Sequence, residues 1–154
     1  GCMNRRGFIE KTLQMNRDHE GEELLILFAD LDHLKEINDS FGHIEGDFSI
    51  RHCAEVLKKV VGADGIVGRI GGDEFCVVTL GNLKDGQQII ERIREESDAF
   101  NCTSDKEYYV ELSAGCTSVI CRNGLVIADA LREADRALYE VKKLRRNSVK
   151  KIRL

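Results

Sequence analysis

Two short acidic clusters have the composition and the setting to do chemistry. Asp30-Leu31-Asp32 follows the apolar run 24–29, and Asp73-Glu74 follows Gly71-Gly72 between two further apolar runs. Carboxylates at strand ends are held by a rigid sheet while the adjoining loops leave them open to a ligand. If the strands are neighbours in one sheet, Asp30 and Asp73 converge, and two such charges repel unless a cation sits between them. No histidine or thiolate cluster lies nearby, so hard oxygen donors favour Mg²⁺ or Mn²⁺ over zinc; Mg²⁺ combines one or two carboxylates with substrate phosphates. The pattern points to nucleotide chemistry. An isolated Asp-Glu after Gly-Gly would instead be read as a turn with soluble residues, and it is the pairing with Asp30 that argues against that.

The segment 31–38 leads from strand into helix, so its backbone N–H groups could meet phosphate oxygens, with Lys35 adding positive charge. Gly42 and Gly46 flank His43. Asn38 and Asp47 either read a base edge or cap a helix; the residue types allow both.

The elements that would position these groups follow from hydrophobic periodicity. Asn4 is placed to cap an opening helix containing Phe8, Ile9, Thr12 and Leu13 and ending near Gly21. Residues 24–29 form a continuous apolar run, as expected of a central strand covered on both faces and ending at Asp30. Ile50, Cys53, Ala54, Leu57, Val60 and Val61 repeat with helical spacing up to Gly62. Runs 66–70 and 75–80 form a hairpin whose Gly-Gly turn can take the positive φ angles that tight turns use. A helix through Ile89, Ile93 and Phe100, one or two strands within 108–120 broken near Gly115, and a long helix through Leu131 to Val141 follow, with an edge strand suggested for the final residues. The resulting order, helix, strand, helix, hairpin, helix, strand, helix, predicts an α+β sandwich with a mostly antiparallel sheet carrying helices mainly on one side.

The 154 residues suit one domain with its own core. A formal charge of −4 argues against a general nucleic-acid binder, and the longest apolar run is too short to span a bilayer. Six cysteines without a CxxC pair or zinc-type Cys/His spacing suit a reducing, cytoplasmic setting for the domain, although a parent protein could be membrane-tethered.

Taken together, these segments resemble the GGDEF family of diguanylate cyclases. Asn4-Arg5-Arg6 with Phe8 resembles its NRR-x-F opening, and Asp30 through Asp39 resembles its DIDHFKxIND segment, continued in register by Phe41-Gly42-His43 and Gly46-Asp47. Arg69 through Phe75 resembles the R-x-GGDEF hairpin, Ser113-Ala114-Gly115 the S-x-G strand, and residues 134–139 the ADxALY helix. The resemblance implies a palm-like fold, as in nucleotide cyclases and polymerases, with a central five-stranded sheet surrounded by helices. It implies that Asp30, the Leu31 carbonyl and Asp73 hold two Mg²⁺ (or Mn²⁺) ions for each GTP, and that Asn38 and Asp47 hydrogen-bond guanine with His43 nearby. Lys35 would stabilise charge in the transition state, Lys142 and Arg146 would meet the triphosphate, and Asp73 or Glu74 would accept the proton. Each domain would bind one GTP, so the resemblance implies a homodimer, with a sensor or regulatory domain preceding Gly1 in a longer parent protein. The family's RxxD inhibition site is replaced by Gly62 and Gly65, so inhibition through that site is not expected.

Overall fold

The structure is a computed structural model that describes residues 2–153, with side chains through Leu144. Its elements are α1 (Arg5–Asp18), β1 (Glu23–Leu31), α2 (Leu34–Phe41), α3 (His43–Val61), β2 (Ile66–Arg69), β3 (Glu74–Leu80), α4 (Leu83–Thr103), β4 (Leu112–Ile120) and α5 (Ile127–Arg153). All strand pairs are antiparallel, in the order β2-β3-β1-β4.

Alternate residues of a strand face opposite sides, and β1 uses this to build two cores. Leu27, Ala29 and Leu31 join Cys53, Val56, Leu57 and Val60 of α3 and Ile93 of α4 on one face. Leu24, Ile26 and Phe28 join Phe8 of α1 and Ala130, Ala134 and Leu138 of α5 on the other. The expectation of helices mainly on one side is therefore corrected: the sheet is covered on both. The reason lies in β1 and β3, whose apolar residues occupy both parities.

The α+β class holds, but the sheet has four strands among the described residues rather than five. The final segment, expected as an edge strand, continues α5 to Arg153. Beside β2, among the described residues, only Met3 adds a bridge, its N–H donating to Val67 O at 3.1 Å and its carbonyl accepting from Arg69 N at 2.9 Å. Nor does β4 break at Gly115. That glycine serves close packing, since a Cβ there would lie 2.2 Å from the backbone N of Leu138 in α5. The opening helix forms as expected, with the Asn4 side chain accepting from Gly7 N, and Gly62 ends α3 at φ +83°.

One helix expected between the first strand and the hairpin is two. Gly42, at φ +91°, separates α2 from α3, and its N–H donates to Asn38 O at 2.9 Å to close α2. That φ lies in the left-handed region, where a Cβ is strained, so the glycine permits a sharp corner between the helices.

Candidate active site

β1 runs two residues beyond the apolar stretch, so Asp30 lies within the sheet rather than past its end. It stands opposite Glu74 of β3 and Ser113 of β4, and the Leu31 N–H donates to the Asp73 carbonyl at 2.9 Å. These pairings bring the Asp73 carboxyl beside that of Asp30. Asp30 has the parity of Ile26 and Phe28 and so projects toward α5. There Ala134 and Leu138, buried four residues apart, set the helix face that carries Lys142 one further turn along. The Lys142 ammonium donates to Asp30 Oδ2, and this pair is largely sheltered, with side-chain exposures of 28% and 15%.

Asp30 is an unsettled carboxylate. Burial, together with the neighbouring Asp73, pushes its pKa up to about 6 against the opposing pull of Lys142. Its Oδ1 is buried without a hydrogen-bond donor among the described residues. Two crowded carboxylates, one with an unserved buried oxygen and already drawing in a lysine, are a donor set suited to a hard cation. No cluster of three His, Cys, Asp or Glu side chains is present among the described residues, so a cation here would draw further oxygens from backbone or substrate.

Neither Gly71 nor Gly72 has positive φ, which corrects the expected reason for the glycine pair. The turn is held instead by Arg69, whose Nε donates to the carbonyls of Gly71 and Gly72 at 3.2 Å each, with an Nη2 bond to Gly72 at 2.8 Å. Arg69 thus has a structural task. A Cβ on Gly72 would meet nothing within 4 Å, so the turn is open on that side.

The other predicted residues gather where α2 begins and where it meets α3. His33 precedes α2 at φ +61°, and no side chain caps that helix's N-terminus. Lys35 is exposed in its first turn. Half-buried Asn38 lies against buried Gly46, with His43 and Asp47 exposed beside it on α3. Asn38 and Asp47 are not the caps considered from sequence: Gly42 is the residue capping both helix ends. The side chain of Arg146 lies outside the described residues.

Several supporting residues escaped the sequence reading. Ser113 Oγ donates to both Asp32 carboxylate oxygens, at 3.0 and 2.7 Å, pinning the turn after β1 to β4. The S-x-G motif pointed to Ser113 but not to its partner. Glu45 near the start of α3 accepts from Lys106 Nζ at 2.7 Å and Tyr108 Oη at 2.8 Å, and these bonds hold its pKa below the ordinary value. The segment before β4 thereby clamps the corner, a contact that no local pattern announces. A shallow hollow nearby, lined by His33, Phe41, Tyr108, Tyr109 and Glu111 among others, includes neither Asp30 nor Asp73. The six cysteines are free; burial pushes Cys53 and Cys76 up to about 12, which removes them as nucleophiles. No helix among the described residues is long and apolar enough to cross a membrane.

An antiparallel sheet whose central strand brings Asp30 beside the Asp73 of a tight hairpin, with a helix whose N-terminus has no side-chain cap close by, defines the chain as an α+β domain. The family described as diguanylate cyclase, GGDEF domain, matches residues 1–148, and the chain belongs to it. The diguanylate cyclase DgcP of Escherichia coli K12 is 37% identical over 148 residues, 93% of this chain and 43% of that protein. The cyclic di-GMP phosphodiesterase NbdA of Pseudomonas aeruginosa is 30% identical over 96% of this chain and 19% of its own length. The chain thus spans less than half of these curated relatives. The GGDEF domain of DgcB from Caulobacter crescentus, solved with c-di-GMP, superposes with a TM-score of 0.81 at 26% identity, covering 92% of this chain and 86% of that one.

Proposed function

We propose that this domain is a diguanylate cyclase that condenses two GTP molecules into cyclic di-GMP with release of two pyrophosphates. The observation that carries the reading is the convergence of Asp30 and Asp73, placed by strand pairing, with the buried Asp30 Oδ1 left unserved. In each of two equivalent steps the 3′-hydroxyl of one GTP forms a bond to the α-phosphorus of the other. The bond from that phosphorus to the bridging oxygen breaks, and pyrophosphate leaves with the electron pair.

Asp30, Asp73 and the Leu31 carbonyl would hold Mg²⁺ or Mn²⁺, two ions per GTP, which when bound polarise the hydroxyl and offset phosphate charge. Asp73 or Glu74 takes the hydroxyl proton. The uncapped N-terminus of α2 and Lys35 receive phosphate oxygens and the charge that develops on them. Asn38 and Asp47 read guanine, since a carboxylate accepts from the ring N1–H and exocyclic amine that adenine does not offer in that pattern. Lys142 and Arg146 serve the triphosphate; for Lys142 this requires leaving Asp30.

One domain supplies half of the reactants, so the catalytic unit is a two-fold homodimer with the two sites face to face. The domain belongs to a longer cytoplasmic or membrane-tethered protein whose preceding segment governs that pairing. With Gly62 and Gly65 at the RxxD positions, product does not inhibit through that site.

Concentrated protein incubated with GTP and Mg²⁺ should release cyclic di-GMP and pyrophosphate, and ATP should give neither. GTP binding without product would overturn the cyclase reading and leave a silent GTP-binding module.

A further inference from the structure

The corner between α2 and α3 holds a contact that the proposed guanine site depends on and that its polar residues alone do not explain. Gly46 is buried in the first turns of α3, directly under the Asn38 side chain. A Cβ on Gly46 would stand 1.7 Å from Asn38 Oδ1, 2.8 Å from its Cγ and 3.4 Å from its Nδ2. No carbon and oxygen coexist at the first distance, so any residue but glycine expels the amide. The Asn38 backbone, meanwhile, is tied into the corner by the Gly42 N–H at 2.9 Å. With its backbone fixed, the amide answers a clash by rotating about its own χ angles.

We infer that Gly46 is a positioning residue for base recognition: its missing side chain is the space in which the Asn38 amide stands beside Asp47. This rests on the guanine reading of Asn38 and Asp47 proposed above. Three features support it. The contact is to the far end of a short side chain, so substitution leaves the fold intact while moving a hydrogen-bonding group. Asp47, the residue that follows Gly46 on α3, is exposed, so the carboxylate of the proposed guanine pair is carried by the same turn that holds the amide. Ser49, fully buried one turn on, donates to Glu45 O at 3.0 Å, and Glu45 is itself held by Lys106 and Tyr108. The α3 side of the contact is therefore stiff, and displacement falls on Asn38.

The test uses Gly46→Ala, Asn38→Ala and the double variant, with thermal unfolding, binding of a non-hydrolysable GTP analogue, and KM and kcat for GTP and for ITP, which lacks the exocyclic amine. Gly46→Ala is expected to fold with a cooperative transition and to weaken analogue binding about tenfold, as loss of one directed hydrogen bond to a ligand does. The loss should appear mainly in KM, while the preference for GTP over ITP, assigned above to the Asp47 carboxylate, persists. The double variant should bind no more weakly than Asn38→Ala alone, because Gly46 acts through Asn38. If Asn38→Ala weakens binding and Gly46→Ala does not, or if the two losses add, the positioning role is overturned while the guanine reading stands. If Asn38→Ala leaves analogue binding unchanged, the guanine reading itself falls. Should Gly46→Ala unfold, Gly46→Ala combined with Asn38→Gly, which removes the clashing amide, must restore folding; failure to do so also overturns the inference.

Discussion

At the hairpin end of the site, Asp30 and Asp73 are placed by backbone hydrogen bonds, whereas at the α2–α3 corner Asn38 is placed by the absence of a side chain at Gly46. The first end is a strand ladder: Asp30 faces Glu74 and Ser113 in register, and Leu31 N–H meets the Asp73 carbonyl. The ladder is built from backbone groups, so changing a carboxylate there leaves it standing. The second end has exposed functional groups and depends on close helix packing, with Gly42 turning the chain and Glu45, Lys106 and Tyr108 clamping it. A ladder delivers charge rigidly to one point; a helix corner delivers a polar edge whose shape small volume changes can alter.

The largest effect tests the ladder end. Asp73→Ala should fold and lose about a hundredfold or more of cyclic di-GMP formation, the scale seen when a single charge-stabilising group is removed, measured by product release from GTP. Full activity in that variant would break the contrast, since the ladder would then be delivering nothing to the chemistry.

Next in size is a packing change behind the ladder. Gly115→Ala drives a methyl group into the backbone of α5 at Leu138, and overpacking against backbone costs about 3 kcal/mol. Chemical denaturation should register the loss, and because α5 carries Lys142 one turn further on, analogue binding should weaken in the protein that remains folded.

Lys142→Met sharpens the comparison at intermediate size. Removing the ammonium frees Asp30 Oδ2, where Oδ1 already has no donor among the described residues, so Mn²⁺ binding to nucleotide-free protein, followed by electron paramagnetic resonance, should tighten by about fivefold, while GTP-analogue binding weakens. A partly sheltered ion pair competing with a cation is worth about 1 kcal/mol, which corresponds to that factor.

The smallest effect concerns the support of the corner. His52 on α3 packs at a tilt against Phe100 of α4, ring centroids 4.0 Å apart, and burial holds its pKa below the ordinary 6.5, against weaker pulls from Glu55 and Glu96. The unfolded chain therefore takes up this proton at higher pH than the folded one. The stability contributed by neutral His52 is full above 6.5 and is lost as pH falls below it. His52→Phe should flatten that part of the stability–pH curve, measured by urea denaturation at several pH values.

Much of this was legible along the chain. The apolar run of β1 and its acidic end, the Gly62 stop, the Asn4 cap and the hairpin each depend on residues near one another in sequence, and each formed where its pattern lay. What failed was backbone conformation and close packing. The Gly71-Gly72 turn is secured by Arg69 rather than by positive φ, and Gly115 makes room for α5 rather than breaking β4. The final segment became helix instead of a fifth strand.

The sequence by itself determined the periodicities, the caps and the register of acidic and polar residues, because these depend on spacing along one chain. Only the tertiary structure decided that Asp30 projects toward α5 and meets Lys142, that Asp32 answers to Ser113, and that Asn38 rests on a bare Gly46. Strand pairing and helix packing bring together residues that are up to 112 positions apart, and the distances that decide those contacts exist only once the two cores have closed on the sheet.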